Sequence, residues 1–354
     1  MKRKQWGIGL LSVILCAGLL SGCETGPAQS TPSEAEPTGT GQTTQASRTQ
    51  ETVYQYNVLT GLNDIPEGAP TRFVGVMIGN NDASRPQYGL EQADVYIEGE
   101  TEGGITRIMA VFGSTARMPD TLGPVRSART PFVKLAQALD LVYCHAGGSV
   151  TALELLREID IADINAMAYE GSVFWRNSAL IESKGYEYSM MIGSSTLQKK
   201  LDELGWRSQS QHGAPFIFGE RRGASGGSGI QADITSWQTV SFDYDASAGA
   251  YVKYNGSFDD RELHTTQSGT AITVSNVIVI YAPKWMENEL TCNFDLSEGR
   301  GIVLSGGTSR YLRYACSSEG MSMTEEDGTP LELARGKSYI CIIDSDRMGS
   351  TVLR

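Results

Sequence analysis

The sequence predicts an α/β N-terminal segment with a mixed or parallel sheet, followed by a smaller antiparallel β-rich segment, so the fold class is α+β overall. Three observations predict it. Between residues 54 and 218, apolar runs of strand length alternate with helix-period segments. A glycine-rich stretch, GERRGASGGSG over 219–229, then interrupts the pattern. Beyond residue 235 short strands alternate with turns, and no convincing helix is visible. The expected division is residues 54–218, a boundary loop at 219–234, and residues 235–354. A chain of 354 residues suits two domains of ~150 each.

The N-terminus reads as an address. Lys2, Arg3 and Lys4 precede an apolar run from Trp6 to Leu20, too short for a comfortable membrane-spanning helix. The run ends in Leu20-Ser21-Gly22-Cys23, which looks like a bacterial lipobox. On that reading residues 1–22 are a signal peptide. Cys23 becomes the first mature residue and carries the lipid, so the body is held at the outer face of the cytoplasmic membrane by acyl chains. Residues 24–53 are Thr, Ser, Gln, Gly, Pro and Glu with few large apolar groups, a composition expected of a disordered tether. Loss of the signal removes three cations and no acid, taking the net charge from −12 to −15. A body this acidic repels nucleic acid, so no nucleic-acid partner is expected.

Each element of the first segment has a local cause. Phe73 to Ile78, Val95 to Glu98, Ile105 to Phe112 and Leu141 to His145 are apolar enough for buried strands. Phe132, Leu135, Ala136 and Leu139 fall on one helical face, with Thr130 as the expected N-cap and Pro131 at the first helical position. Thr151-x-x-Glu154 resembles a capping box opening a second helix. Thr196 to Leu204 reads as a third, stopped by Gly205.

The sharpest chemical stretch is GPVRSARTP over 123–131. It sets Arg126, Ser127 and Arg129 at a helix start, where free N–H groups and the helix dipole favour an anion. Nearby in sequence His145, Gly147, Gly148 and Ser149 form a strand-end glycine turn, an arrangement that collects ligands in α/β folds. Glu98, Glu100 and Glu102 alternate along an extended segment. They could bind a cation, supply an acid, face solvent, or pair with the arginines. Arg107 lies on an apolar strand face and wants one of them as partner. Arg176 and His264 complete the ligand-binding candidates.

Cys144, Cys292, Cys316 and Cys341 remain in the mature body after Cys23. Four cysteines allow three complete pairings that spacing does not choose between, Cys316 with Cys341 among them. Cys144, in an apolar strand, is expected buried and free. No zinc-ligand spacing, Walker loop or dinucleotide fingerprint is present, so neither metal nor cofactor is expected.

SRPQYGLEQADVYIE over 84–98, EGGITR over 102–107, GPVRSAR over 123–129 and HAGGS over 145–149 together resemble the YerB-like lipoproteins of Gram-positive bacteria. The resemblance is continuous from Leu59 to Arg176 and weaker to the C-terminus. It implies a surface lipoprotein built from an N-terminal and a smaller C-terminal domain of unknown function, and it implies no reaction. One departure is Tyr188-Ser189, where relatives carry a His-Asn-like pair.

Three functions stay open at this level. The first is a lipoprotein binding an anionic small molecule or an envelope polymer. The second is an envelope-acting hydrolase or transferase with His145 as base and a glutamate as acid. The third is a scaffold for another protein. The missing nucleophile elbow favours binding over catalysis.

Overall fold

A computed structural model describes residues 52–220, 223 and 226–354. Cys23, the signal and most of the tether lie outside these residues. Residues 52–354 belong to a single compact unit.

In chain order the principal elements are β1 (Val74–Gly79), β2 (Val95–Glu100), β3 (Thr106–Phe112), α1 (Thr130–Ala138), β4 (Val142–His145), α2 (Val150–Glu158), β5 (Ala162–Asn165), α3 (Ser178–Lys184) and α4 (Ser194–Leu204). The later part supplies β6 (Gly229–Asp233), β7 (Thr239–Asp245), β8 (Ala250–Gly256), β9 (Arg261–Leu263), β10 (Asn276–Ala282), β11 (Glu298–Ser305), β12 (Thr308–Ser317), β13 (Gly320–Glu325), β14 (Ser338–Asp344) and β15 (Val352–Leu353).

Ten strands make one mixed sheet in the order β13-β12-β11-β10-β14-β2-β3-β1-β4-β5. Strand β14 lies between the two sequence segments and pairs in parallel with both β10 and β2. The glycine-rich boundary therefore divides the sequence without dividing the sheet. The C-terminal segment is β-rich as expected, and its principal strands pair antiparallel apart from β14. It gives five strands to the shared sheet and builds a second, antiparallel sheet, β9-β8-β7-β6-β15, with Thr273–Val274 also paired to β8.

The central strands explain why the shared sheet is favourable. Along β14, Tyr339, Cys341 and Ile343 enter one core while Ile340 and Ile342 enter another, and β10 alternates in the same way. Strands covered on both faces need apolar residues at every position, so they read as continuous hydrophobic runs. One face is covered by the second sheet through Ile230, Val240, Phe242 and Tyr251, and by Leu197 and Leu201 of α4. The other is covered by Phe132, Val133, Leu135 and Ala136 of α1.

Helix caps differ from the expected ones by a residue or two. Helix α1 follows Arg129 rather than being capped by Thr130, whose hydroxyl instead bonds Thr151. Helix α2 is capped by Ser149, whose Oγ accepts from the Ala152 amide, in place of the Thr151 capping box. Helix α4 begins at Ser194 and ends at Gly205, which takes the left-handed conformation. The Cys316–Cys341 bridge is not formed. All four described cysteines are free, and Cys341 and Cys316 pack toward opposite faces of the sheet.

Candidate functional site

The arginine-rich start of α1 is closed by the protein's own charge. Arg107 reaches Glu102 with both terminal nitrogens, at 2.9 and 2.5 Å, and Arg129 Nε donates to the same carboxylate at 2.8 Å. Side-chain exposure is 2% for Arg107 and 10% for Arg129. Burial alone would raise the Glu102 carboxyl, but the two guanidiniums outweigh it and hold the group below its ordinary range. Burial first, then Arg129, pulls Arg107 down to about 10. Arg126 points elsewhere: it donates to the Glu187 backbone oxygen at 2.5 Å and to its carboxylate at 3.2 Å, over the Tyr188 ring. Arg126 and Arg129 therefore do not converge on one anion pocket, because separate internal acids have taken them.

The other candidates of this segment are similarly engaged. His145 is fully buried, held at 2.6 Å by Asp163 and at 2.6 Å by the Gly147 carbonyl oxygen. Its two ring nitrogens are thus taken by Gly147 and Asp163 rather than by a glutamate of the 98–102 stretch. Gly147 and Gly148 form a short connection whose backbone meets Ala128 and Asn165, and the Ser149 hydroxyl serves as a helix cap. Ser127 is half-buried beside them. Arg176 stacks on Tyr186 and pairs with Glu170. The alternating glutamates are not one row, since each meets a different cation: Glu98 meets Lys253, Glu100 meets Lys284, and Glu102 meets the two arginines. Among the described residues no three His, Cys, Asp or Glu side chains gather as a metal site would require.

What the fold does assemble is a buried polar network where the two segments meet. Glu98 on β2 and Lys253 on β8 are both fully buried, 3.8 Å apart. Glu98 Oε1 accepts from Asn80 at 2.7 Å, Thr106 at 2.7 Å and Gln238 at 3.0 Å, and its Oε2 accepts from the Tyr339 hydroxyl at 2.5 Å. The Lys253 ammonium donates to Asn255 Oδ1 at 2.9 Å and to His264 Nδ1 at 2.9 Å. His264 Nε2 meets Gln87 Oε1 at 3.0 Å. Gln87 spends its amide N–H groups on the Gly79 carbonyl and on Asn80, so its oxygen is the end that faces the imidazole. The ring is thereby fixed as the neutral tautomer with hydrogen on Nε2. Burial first, then Lys253, pushes the His264 imidazole well below its ordinary range. Burial lowers Lys253 too, with Glu98 opposing it.

Above this network lies an open cleft of about 660 Å³, continued by a second hollow of about 420 Å³ that shares Asp82, Arg85, Asn255 and Glu262 with it. Arg85 is held by Asp82 and by the Asn80 carbonyl at 2.7 Å. Arg261 is held by Asp243 at 2.5 Å and stacked on Tyr254. Trp237, on the turn between β6 and β7, stands at the rim with 85% of its surface exposed. The cleft thus draws on both sequence segments.

Sequence reasoning singled out Glu98 and His264 but not Arg85, Gln87, Trp237, Lys253, Asn255 or Arg261. One signal was legible for Lys253: it shares a strand side with Tyr251, and a cation in an inward register needs a buried partner.

Comparison with known proteins agrees with this architecture. Residues 59–207 match the N-terminal domain of a family described as protein of unknown function DUF3048, and residues 230–340 match its C-terminal domain. The putative lipoprotein YerB of Bacillus subtilis (strain 168) is 28% identical over 292 residues, spanning 80% of this chain and 85% of that protein. The crystal structure of the Bacillus subtilis YerB protein superposes with a TM-score of 0.71 at 27% identity, covering 85% of this chain and 99% of that one. With both domain matches on the two segments that share the sheet, the chain belongs to the DUF3048 family and is homologous to the putative lipoprotein YerB.

Proposed function

We propose that the chain is an extracytoplasmic lipoprotein, tethered through Cys23 to the outer face of the cytoplasmic membrane, that holds a polar envelope polymer in the Arg85–Arg261 cleft. The observation that carries this reading is the open cleft set on a buried, hydrogen-bonded polar network built from both segments. A rigid polar floor keeps the side chains above it in fixed positions, which lowers the ordering cost of binding. Among the cleft side chains, Asp82, Asp260 and Glu262 stand against Arg85 and Arg261. That balance suits uncharged polar groups better than a polyanion, so the reading shifts from an anionic small molecule toward the polymer.

Co-sedimentation of the detergent-solubilised protein with purified insoluble cell-wall sacculi tests the binding. Arg85→Ala and Asn255→Ala are each expected to weaken retention about tenfold, a loss near 1.4 kcal/mol. Retention unchanged in both variants would remove the cleft from consideration. For the tether, Cys23→Ala is expected to move the protein from the membrane fraction to the medium, and continued membrane retention would refute it.

A further inference from the structure

We infer that the cleft takes a β-linked pyranose chain, with one sugar ring stacked on Trp237. This inference rests on the polymer-binding reading and names its chemical class. Trp237 is on a tight turn in which Thr235 Oγ1 accepts from the Trp237 and Gln238 amides at 3.0 and 2.9 Å. The turn fixes the backbone beneath the indole. The indole itself packs against the Gly103–Gly104 turn: a Cβ placed on Gly104 would lie 2.4 Å from Trp237 Cδ1. Gly104 also has φ +76°, so both the space and the backbone call for glycine there. The indole therefore meets bare backbone at its Cδ1 edge while 85% of the residue stays exposed. Covering an exposed indole releases a large apolar area from water, so an uncovered one on a held turn at a cleft rim is a ready anchor for a ligand.

The rest of the cleft says which ligand. Its walls carry amides, carboxylates, hydroxyls and guanidiniums: Gln238, Asn255, Ser257, Asp260, Arg261 and Glu262. These supply donors and acceptors in mixture. An equatorially substituted, β-linked pyranose has the matching two-sided chemistry. Its axial C–H groups form a flat face that meets the negative face of an aromatic ring, and its hydroxyls project around the edge. The near balance of charge in the walls disfavours a phosphate polymer. The adjoining hollow past Arg85 and His264 extends the cleft in the way a chain, rather than a single ring, requires.

The test is calorimetric titration of the solubilised full-length protein with chitotetraose and with cellotetraose, two β-1,4-linked pyranose chains differing in their acetamido groups. Wild type is expected to bind at least one of them. Trp237→Ala is expected to weaken that binding about tenfold or more, and Trp237→Phe to keep part of it. The melting temperature of Trp237→Ala should match wild type, because the side chain is so exposed. Two outcomes overturn the inference: no binding of either sugar by wild type at millimolar concentration, or equal affinity in Trp237→Ala. If that happens while Arg85→Ala still reduces retention on sacculi, the sugar assignment falls and the cleft reading stands. If Arg85→Ala and Asn255→Ala also leave retention unchanged, both fall together.

Discussion

Glu98 and Glu102 lie four residues apart, and the fold gives them opposite surroundings. Glu102 sits just past the end of β2 under two guanidiniums from its own segment, and its carboxylate is spent on both of them. Glu98 is deeper, is bonded by groups from both segments, and is linked through Lys253 to Asn255 and His264, which line the open hollow above. The first cluster is richer in charge and looks more like a site in sequence. The second has fewer charges, yet the space above it is open. Charge concentrated in a few neighbouring residues tends to neutralise itself, whereas a cleft needs walls from distant parts of the chain.

The largest test of this contrast is Lys253→Met, which leaves the Glu98 carboxylate buried without its cation. Breaking a buried pair by removing one partner costs ~3–5 kcal/mol, so the midpoint of urea unfolding should fall steeply. Adding Glu98→Gln should restore a good part of the loss. If the single variant is as stable as wild type, the network does not join the segments as described. Glu102→Gln should cost less, about 2 kcal/mol, because the glutamine oxygen still accepts from the guanidiniums left behind. The same variant should retain full binding to sacculi, and a binding defect would reopen the α1 start as a site.

The smallest effect is a pH dependence. The His264 imidazole is held well below its ordinary range, so the folded protein keeps it neutral while the unfolded chain protonates near the usual value. The unfolded state then binds more protons, and stability falls as pH drops through that value. The loss is at most ~1.4 kcal/mol per pH unit until the folded group also titrates. The Glu102 carboxyl, depressed by Arg107 and Arg129, adds a second loss in the ordinary carboxylate range and below. Unfolding midpoints measured from pH 7 down to 5 in wild type and in His264→Gln should diverge on the acid side. Parallel curves would show that His264 titrates alike in the folded and unfolded chain, so that burial does not hold it neutral.

Much of the fold was legible because its causes are local. The strands at 74–79, 95–100 and 106–112 announce themselves as apolar runs, and α4 carries its own stop at Gly205. The pairing of Arg107 with a nearby glutamate followed from a cation placed on an apolar strand face. Neither Thr130 nor Thr151 serves as the expected cap: the Thr130 hydroxyl donates to Thr151 Oγ1, and the Thr151 hydroxyl donates to Glu287. The position of Trp237 at the cleft rim was not legible, since nothing near it in sequence says that Gly104 will meet the Cδ1 edge of its ring. The partner of His264 was equally hidden, because Gln87 is 177 residues away.

By itself the sequence determined the alternation of strands and helices in the first segment, the β-rich second one, and the family motifs. Periodicity, composition and short-range capping are written in consecutive residues. Only the tertiary structure decided that one sheet spans both segments, that the arginine pair is spent on internal acids, and that the open cleft lies over Glu98, Lys253 and His264. These outcomes depend on contacts between residues far apart in the chain. Each burial has to be compensated by whatever partner the fold brings near, and no local pattern records which partner that will be.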